Sequence, residues 1–161
     1  MEQKAKRCCF TGHRPDKMQG MEQQIKTLLK AEIKKCIDEG ISTFISGMAM
    51  GVDIWAAQIV LEEKKNNDDI KLICASPYPG FERSRCLADR MKYHEIINNA
   101  DYVINISDKY TRLCFQIRNM WMVDRSCKVI AVYNGSRGGT KNTVDYAEKK
   151  KVPVVNVLDI E

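Results

Sequence analysis

The 161-residue sequence has no long apolar run and no obvious internal boundary. No stretch approaches the ~20 apolar residues that a helix needs to span a bilayer, so no membrane association is expected. The polar N-terminal segment lacks the apolar region of a signal peptide. Repeats, low-complexity segments and Pro/Gly/Ser-rich linkers are also missing. These absences favour one globular domain over residues 1–161, located in the cytoplasm.

The cysteines and charges exclude two further classes of protein. The seven cysteines form no CxxC pair and no cysteine–histidine spacing typical of zinc sites, so we expect no metal and no cofactor. Most of them lie inside apolar segments, which indicates reduced, buried thiols rather than a disulfide framework. The 26 basic and 21 acidic residues give a net charge of only +5. Nucleic acid is therefore a possible partner but not the favoured one.

Strand-like and helix-like segments alternate along the whole sequence. Apolar runs predict strands at about 7–11, 42–46, 71–75, 101–106, 128–133 and 154–157. Apolar residues at helical spacing predict helices at about 21–39, 51–66, 83–98, 113–126 and 140–150. This alternation predicts an α/β, Rossmann-like three-layer sandwich with a mostly parallel sheet. We expect strand order 3-2-1-4-5 plus a sixth strand, with a ligand crevice between strands one and four.

The loop after the first strand has the composition of a ligand-binding loop. An apolar run ends at Thr11 and Gly12, and His13, Arg14 and Pro15 follow at once. Glycine allows a close backbone approach to a ligand, and arginine offers a fixed cationic fork. Proline keeps the preceding Arg14 out of helical geometry, so the loop is expected to be extended. We predict that Thr11, Gly12, His13 and Arg14 form one wall of the site.

Two more strand–helix junctions contain glycines and polar residues. The first, at 46–53, is expected to contribute Ser46, Gly47, Met48, Gly51, Val52 and Asp53 to the site. The second, after strand five, is expected to contribute Gly138, Gly139, Thr140, Asn142 and Thr143 as a phosphate cradle. Helix N-termini favour anions, and these loops meet at one edge if their strands are parallel neighbours. Asp53 and His13 are the candidates for any catalytic role, which the sequence leaves open.

Most of the remaining polar and large apolar residues in the third and fourth predicted helices are expected at the surface or at an interface. At most one of Arg83, Arg85 and Arg90, in the third predicted helix, should reach the crevice. Arg118 and Asn119, in the fourth, are interpreted as a surface or interface feature. That helix carries more large apolar residues than one buried stripe needs, which predicts a homodimer. These residues are Phe115, Met120, Trp121 and Met122.

Four motifs together resemble a known family. They are FTGHRP, SGMAMGVDIWAA, RNMWMVDRS and AVYNGSRGGTKNTVDYA, in this order along the chain. The combination resembles the YpsA-like branch of the SLOG superfamily, which groups the DNA-processing protein DprA with the LOG phosphoribohydrolases. The resemblance implies a Rossmann-like domain for nucleotides or nucleotide-derived ligands, with Gly47, Gly51 and Asp53 as binding residues. The proline and glutamate of the LOG phosphate loop are absent around Gly138.

Three functions fit these observations. The favoured one is a cytoplasmic binding module for a nucleotide or nucleotide-derived small molecule, acting in stress, signalling or phage–host conflict. The second is an N-glycosidic hydrolase of a nucleoside monophosphate, with Asp53 or His13 directing water. The third is a single-stranded nucleic-acid binder of the DprA kind.

Overall fold

The structure, a computed structural model, describes residues 4–159. Strands and helices alternate as the sequence predicts. The strands are β1 (Arg7–Gly12), β2 (Thr43–Ser46), β3 (Lys71–Ser76), β4 (Tyr102–Asn105), β5 (Lys128–Val132) and β6 (Val154–Asn156). The helices are α1 (Glu22–Asp38), α2 (Val52–Asn66), α3 (Leu87–Asn99), α4 (Cys114–Asp124) and α5 (Gly139–Lys149). None of the helices in this part of the chain is long and apolar enough to cross a membrane.

The sheet confirms the predicted fold class but corrects the position of one strand. Its six strands are all parallel and lie in the order β4-β3-β2-β1-β5-β6. The predicted neighbours 3-2-1 are therefore correct. The expectation that strand four lies beside strand one was wrong, because β5 occupies that place. The reversal of strand order, where open α/β sheets bind ligands, thus falls between β1 and β5.

Side-chain contacts and exposure explain the edge position of β4. Asp101, just before β4, accepts a hydrogen bond from the Leu72 backbone N–H of β3 at 2.9 Å and pairs with Lys64 of α2 at 2.6 Å. The side chain of Tyr102 is 63% exposed, which fits an edge strand and not the centre of a sheet. The chain therefore continues outward from β3 to β4, and α4 then leads back to β5, beside β1.

Alternate residues of the central strands face two apolar layers. Phe10 of β1 and Phe44 of β2 stack with ring centroids 6.0 Å apart, on the side covered by α1 and α2. Cys9 and Ile45 point to the other layer, beneath α4 and α5. Because both faces are covered, the central strands are apolar on both sides, as parallel strands usually are. The carboxyl ends of β1, β2 and β5 lie at the same edge of the sheet, because these strands are parallel neighbours.

The segment before α3 differs from its prediction. The helix begins at Leu87 and not at residue 83, because residues 79–84 form hydrogen-bonded turns. The backbone N–H groups of Arg83 and Arg85 donate to the carbonyls of Gly80 and Glu82, each at 3.0 Å. These two arginines therefore lie on a turn at the carboxyl edge of the sheet.

Candidate functional site

A cavity of about 600 Å³ opens at the carboxyl ends of β1, β2 and β5. Eight of the predicted site residues line it: Thr11, Gly12, His13, Arg14, Asp53, Gly138, Gly139 and Thr140. Three different loops supply these residues, so the structure brings them together at one cavity. Four basic side chains and two acidic ones reach the cavity, namely Arg14, Lys17, Arg85, Arg118, Asp16 and Asp53. The lining is thus cationic by two charges, which favours an anionic ligand.

The β1–α1 loop extends the sheet by one residue before it turns. The backbone N–H of His13 donates to the Val132 carbonyl of β5 at 3.2 Å, which fixes the loop against its neighbouring strand. Arg14 is extended, with φ −66° and ψ 159°, as its position before Pro15 predicts. A single turn at Pro15–Lys17 then directs the Lys17 ammonium toward the β5–α5 loop. Its Nζ donates to the Arg137 carbonyl at 2.8 Å.

His13 is held as a neutral imidazole. Its side chain is only 3% exposed, and its Nε2 accepts a hydrogen bond from the Asn134 backbone N–H at 3.1 Å. An accepting Nε2 carries no proton, so the proton of the neutral ring lies on Nδ1. Burial lowers the pKa of His13 below its ordinary value, and the nearby Lys17 charge lowers it further. His13 therefore ties the β1 loop to the β5–α5 loop.

The β2–α2 loop closes largely on itself. The Ser46 hydroxyl donates to the Asp53 carbonyl at 2.9 Å and accepts from the Met48 N–H at 3.1 Å. The Asp53 Oδ2 accepts the Ala49 N–H at 3.2 Å. Of the predicted residues in this loop, Asp53 lines the cavity, whereas five others do not and instead shape the turn. These five are Ser46, Gly47, Met48, Gly51 and Val52.

Arg118 is the main cavity-lining residue that the sequence interpretation missed. It is only 4% exposed, so its interpretation as a surface or interface residue was wrong. Its Nη1 donates to the Gly47 carbonyl and, at 3.3 Å, to the Ala75 carbonyl, joining the ends of β2 and β3. One signal was available, because Arg118 lies four residues from both Cys114 and Met122, which are buried on the same face of α4.

Two arginines offset the burial of Asp53. Burial raises the pKa of this carboxyl, while the Arg118 charge, the Ala49 N–H and the Arg85 charge oppose the rise. Arg85 also donates from Nη2 to the Met48 carbonyl at 2.7 Å and stacks over the Phe81 ring at 4.9 Å. It is the one arginine of Arg83, Arg85 and Arg90 that lines the cavity, in agreement with the prediction.

Aromatic side chains form another part of the lining. Tyr78 packs edge-on against Phe81 and Phe115, with ring centroids 6.1 Å apart in both pairs. All three residues line the cavity. Tyr110 joins the same cluster at 5.6 Å from Tyr78 and is largely exposed. Aromatic faces of this kind stack on planar rings, including nucleobases.

The β5–α5 turn brings Gly138, Gly139 and Thr140 to the cavity. Gly138 has a φ of 144°, which favours glycine, whereas Gly139 begins α5 with an ordinary backbone. A Cβ added to Gly139 would meet no atom within 4 Å, so the space beside it is open. Of the other predicted cradle residues, Asn142 and Thr143 line a smaller neighbouring cavity. The Thr143 hydroxyl donates to the Gly139 carbonyl at 2.9 Å and so stabilises the first turn of α5.

Comparison with known proteins identifies the family. A family model described as the YspA SLOG family (YpsA) matches residues 8–158. The chain belongs to this family. It is 34% identical to the SPbeta prophage-derived protein YoqJ of Bacillus subtilis, over 78% of this chain and 81% of that protein. It is 29% identical to a UPF0398 protein of Halalkalibacterium halodurans, over 79% of this chain and 68% of the relative.

Solved structures share the fold at lower sequence identity. DNA processing protein A of Helicobacter pylori, which has a single-stranded DNA binding mode, matches with a TM-score of 0.65 at 20% identity. DprA of Streptococcus pneumoniae matches with a TM-score of 0.67 at 18% identity. The matches cover 95% and 97% of this chain but only 65% and 53% of those two proteins. At identities this low, the two structural matches establish a common fold and nothing more.

Proposed function

We propose that this SLOG domain binds a nucleotide or a nucleotide-derived small molecule in the 600 Å³ cavity. The observation that carries the proposal is the division of the lining into a cationic part and an aromatic part. Arg14, Lys17 and the first residues of α5 provide charge and backbone amides for a phosphate. Tyr78, Phe81 and Phe115 provide flat apolar surfaces for a base.

Asp53 provides an acceptor for sugar hydroxyls between these two parts. Its Oδ2 is engaged by Ala49, whereas none of the residues 4–159 donates a hydrogen bond to Oδ1. The residue lines the cavity and is 6% exposed, so an incoming hydroxyl can reach it from that side. Carboxylates hydrogen-bond ribose hydroxyls in dinucleotide-binding Rossmann folds.

The alternative activity, N-glycosidic hydrolysis, would depend on Asp53. A general base needs a free lone pair within reach of the proton that it abstracts. The Nε2 lone pair of His13 is already occupied by Asn134, whereas Ala49 engages only one of the two Asp53 oxygens. A turnover assay tests the alternative directly. Release of free base from AMP, lost in Asp53→Asn, would establish the hydrolase.

The fold shared with DprA supports a second candidate, single-stranded nucleic acid. Its signature is salt dependence, because each phosphate contact releases counterions and steepens the fall of affinity with salt. A small ligand with one phosphate group responds weakly. Titration with an oligothymidylate at two salt concentrations therefore separates this candidate from the nucleotide proposal.

Calorimetry with AMP, GMP, CMP and UMP tests the proposal. Arg14→Ala should weaken the best of them about 10- to 150-fold, since losing a charged hydrogen-bond partner costs ~1.5–3 kcal/mol. Arg14 is exposed, so the thermal midpoint should not change. Arg83→Ala is the matched control, because that exposed arginine does not line the cavity. Equal affinities in both variants and the wild type would remove Arg14 from the site.

The proposal extends to location and assembly. All seven cysteines are free thiols, which fits a reducing cytoplasm. The prophage-derived relative fits a role in stress, signalling or phage–host conflict. For the homodimer, Met122 packs inside the fold and so contributes no surface, but Leu113 and Ile117 of the α4 region are exposed. A dimer through this face remains a prediction, which light scattering at tens of micromolar checks.

A further inference from the structure

A second cavity of about 230 Å³ adjoins the first, between α4 and α5. The two cavities share the lining residues Phe115, Asn119 and Gly139. Small-molecule sites usually measure ~300–1,000 Å³, so the second cavity is too small for a whole ligand but suits part of one. Its contact with the first cavity makes it a subsite of the same binding region.

Gly139 lies at the junction of the two cavities and leaves it open. An added Cβ would meet no atom within 4 Å, and the backbone of this residue does not lie in the left-handed region. Neither packing nor backbone conformation therefore requires glycine here. By contrast, Gly138 has a positive φ and needs to be glycine for conformational reasons. The missing side chain at Gly139 serves to keep space between the cavities.

The second cavity is lined by groups that recognise a flat, polar-edged ring. The Tyr146 ring and the Met120 thioether provide apolar contact surface. Gln116 and Asn142 provide amides, and no residue between 4 and 159 hydrogen-bonds either side-chain amide. Amide side chains pair with the donor and acceptor edges of bases. No carboxylate is present among the residues lining this cavity in the described part of the chain.

We propose that the two cavities bind one ligand of the dinucleotide class, two nucleosides joined through phosphate. One base lies against Tyr78 and Phe115 in the first cavity, and the second base lies against Tyr146 in the second. The linking phosphate passes over Gly139 at the start of α5. This inference rests on the proposed function and specifies the size and chemistry of the ligand for that same site.

Two neighbouring residues of α4 provide a matched pair of variants. Gln116 and Ile117 are both exposed, but only Gln116 lines the second cavity. Gln116→Trp places an indole at that cavity, whereas Ile117→Trp places the same side chain outside both cavities. Neither change touches a buried residue, so both proteins should keep the wild-type thermal midpoint. Asn142→Ala is a second variant, which removes an amide without adding bulk.

Calorimetry compares the best-bound mononucleotide with the pyrophosphate-linked dinucleotide of the same base. The dinucleotide should bind the wild type and Ile117→Trp about 10-fold more tightly than the mononucleotide, a difference of ~1.4 kcal/mol. Gln116→Trp should lose this gain and still bind the mononucleotide normally. Asn142→Ala should lose part of the higher affinity for the dinucleotide.

Other results overturn the inference. Equal affinity of the wild type for both ligands, or an undiminished dinucleotide affinity in Gln116→Trp, shows that the second cavity is not used. In both cases the mononucleotide still binds, so the proposed function survives. If neither ligand binds, the proposed function fails together with this inference. Tighter binding of an oligothymidylate than of the dinucleotide assigns both cavities to nucleic acid.

Discussion

Two glycine-containing turns lead into helices at the same edge of the sheet, and their glycines serve different purposes. At the start of α2 the glycines are enclosed by other atoms. A Cβ on Gly47 would lie 2.7 Å from Arg118 Nη1, and one on Gly51 would lie 2.9 Å from the Pro15 ring. At the start of α5, a Cβ on Gly139 would meet nothing. Packing excludes a side chain at Gly47, and both packing and a φ of 91° exclude one at Gly51, whereas the space beside Gly139 is open.

This difference shows how glycine-rich junctions in one fold can be distinguished. The α2 turn reaches the cavity through Ala49, Met50 and Asp53, but its glycines, Gly47 and Gly51, do not line it. The α5 turn presents Gly138, Gly139 and Thr140 to the cavity directly. Substitutions at the α2 turn should therefore change stability, whereas substitutions at Gly139 should change affinity.

The largest loss of stability is expected on substitution of Arg118, whose guanidinium group occupies the space beside Gly47. Arg118→Met leaves the Gly47 and Ala75 carbonyls without their donor and removes a buried charge that offsets Asp53. Breaking such a buried arrangement typically costs ~3–5 kcal/mol of unfolding free energy. Denaturant unfolding measures the loss. Arg125→Met, an exposed arginine after the same helix, should stay within ~0.5 kcal/mol of the wild type.

A smaller loss of stability is expected from Gly12→Ala. The new Cβ would lie 2.5 Å from the Val52 Cβ at the start of α2, so the helix or strand must shift. Overpacking of this kind costs ~1–3 kcal/mol. Thermal and denaturant unfolding check the effect. A wild-type midpoint in Gly12→Ala would show that the α2 turn is not tightly packed and would remove the contrast with α5.

His13 should make stability depend on pH, because it joins the first loop to the α5 turn. Its folded-state pKa lies below the ordinary 6.5, so, as the pH falls, the unfolded chain binds a proton at this histidine before the folded protein does. Stability should fall as pH decreases through this range, by at most ~1.4 kcal/mol per pH unit for one group. Denaturant unfolding of the wild type and of His13→Gln, at pH values above and below 6.5, measures the contribution of His13 to the free energy of unfolding.

The only other histidine provides the control for this measurement. His94 is exposed on α3, and His94→Gln should keep the wild-type dependence on pH. His13→Gln should flatten the dependence below the ordinary pKa. If both variants behave alike, the pH response of the protein arises from other groups.

Much of the fold and part of the candidate site could be predicted from local sequence. The alternation of segments predicted the fold class, and the polar residues after β1 and before α5 indicated the edge of the sheet at which the cavity lies. The position of β4 depends on Asp101 and its partners across the sheet, which no local pattern reports. Arg118 was missed because its partners, the Gly47 and Ala75 carbonyls, are distant in sequence. The turn before α3 and the second cavity also depend on tertiary contacts.

The most direct test of the account is Gly139→Ala, measured for stability and affinity in the same preparation. Alanine fits the open space and favours helix, so the unfolding free energy should stay the same or rise by up to ~1 kcal/mol. The added methyl group should obstruct the phosphate and weaken the best-bound mononucleotide about 10-fold. A folded Gly139→Ala protein with wild-type affinity would contradict a phosphate site at the start of α5.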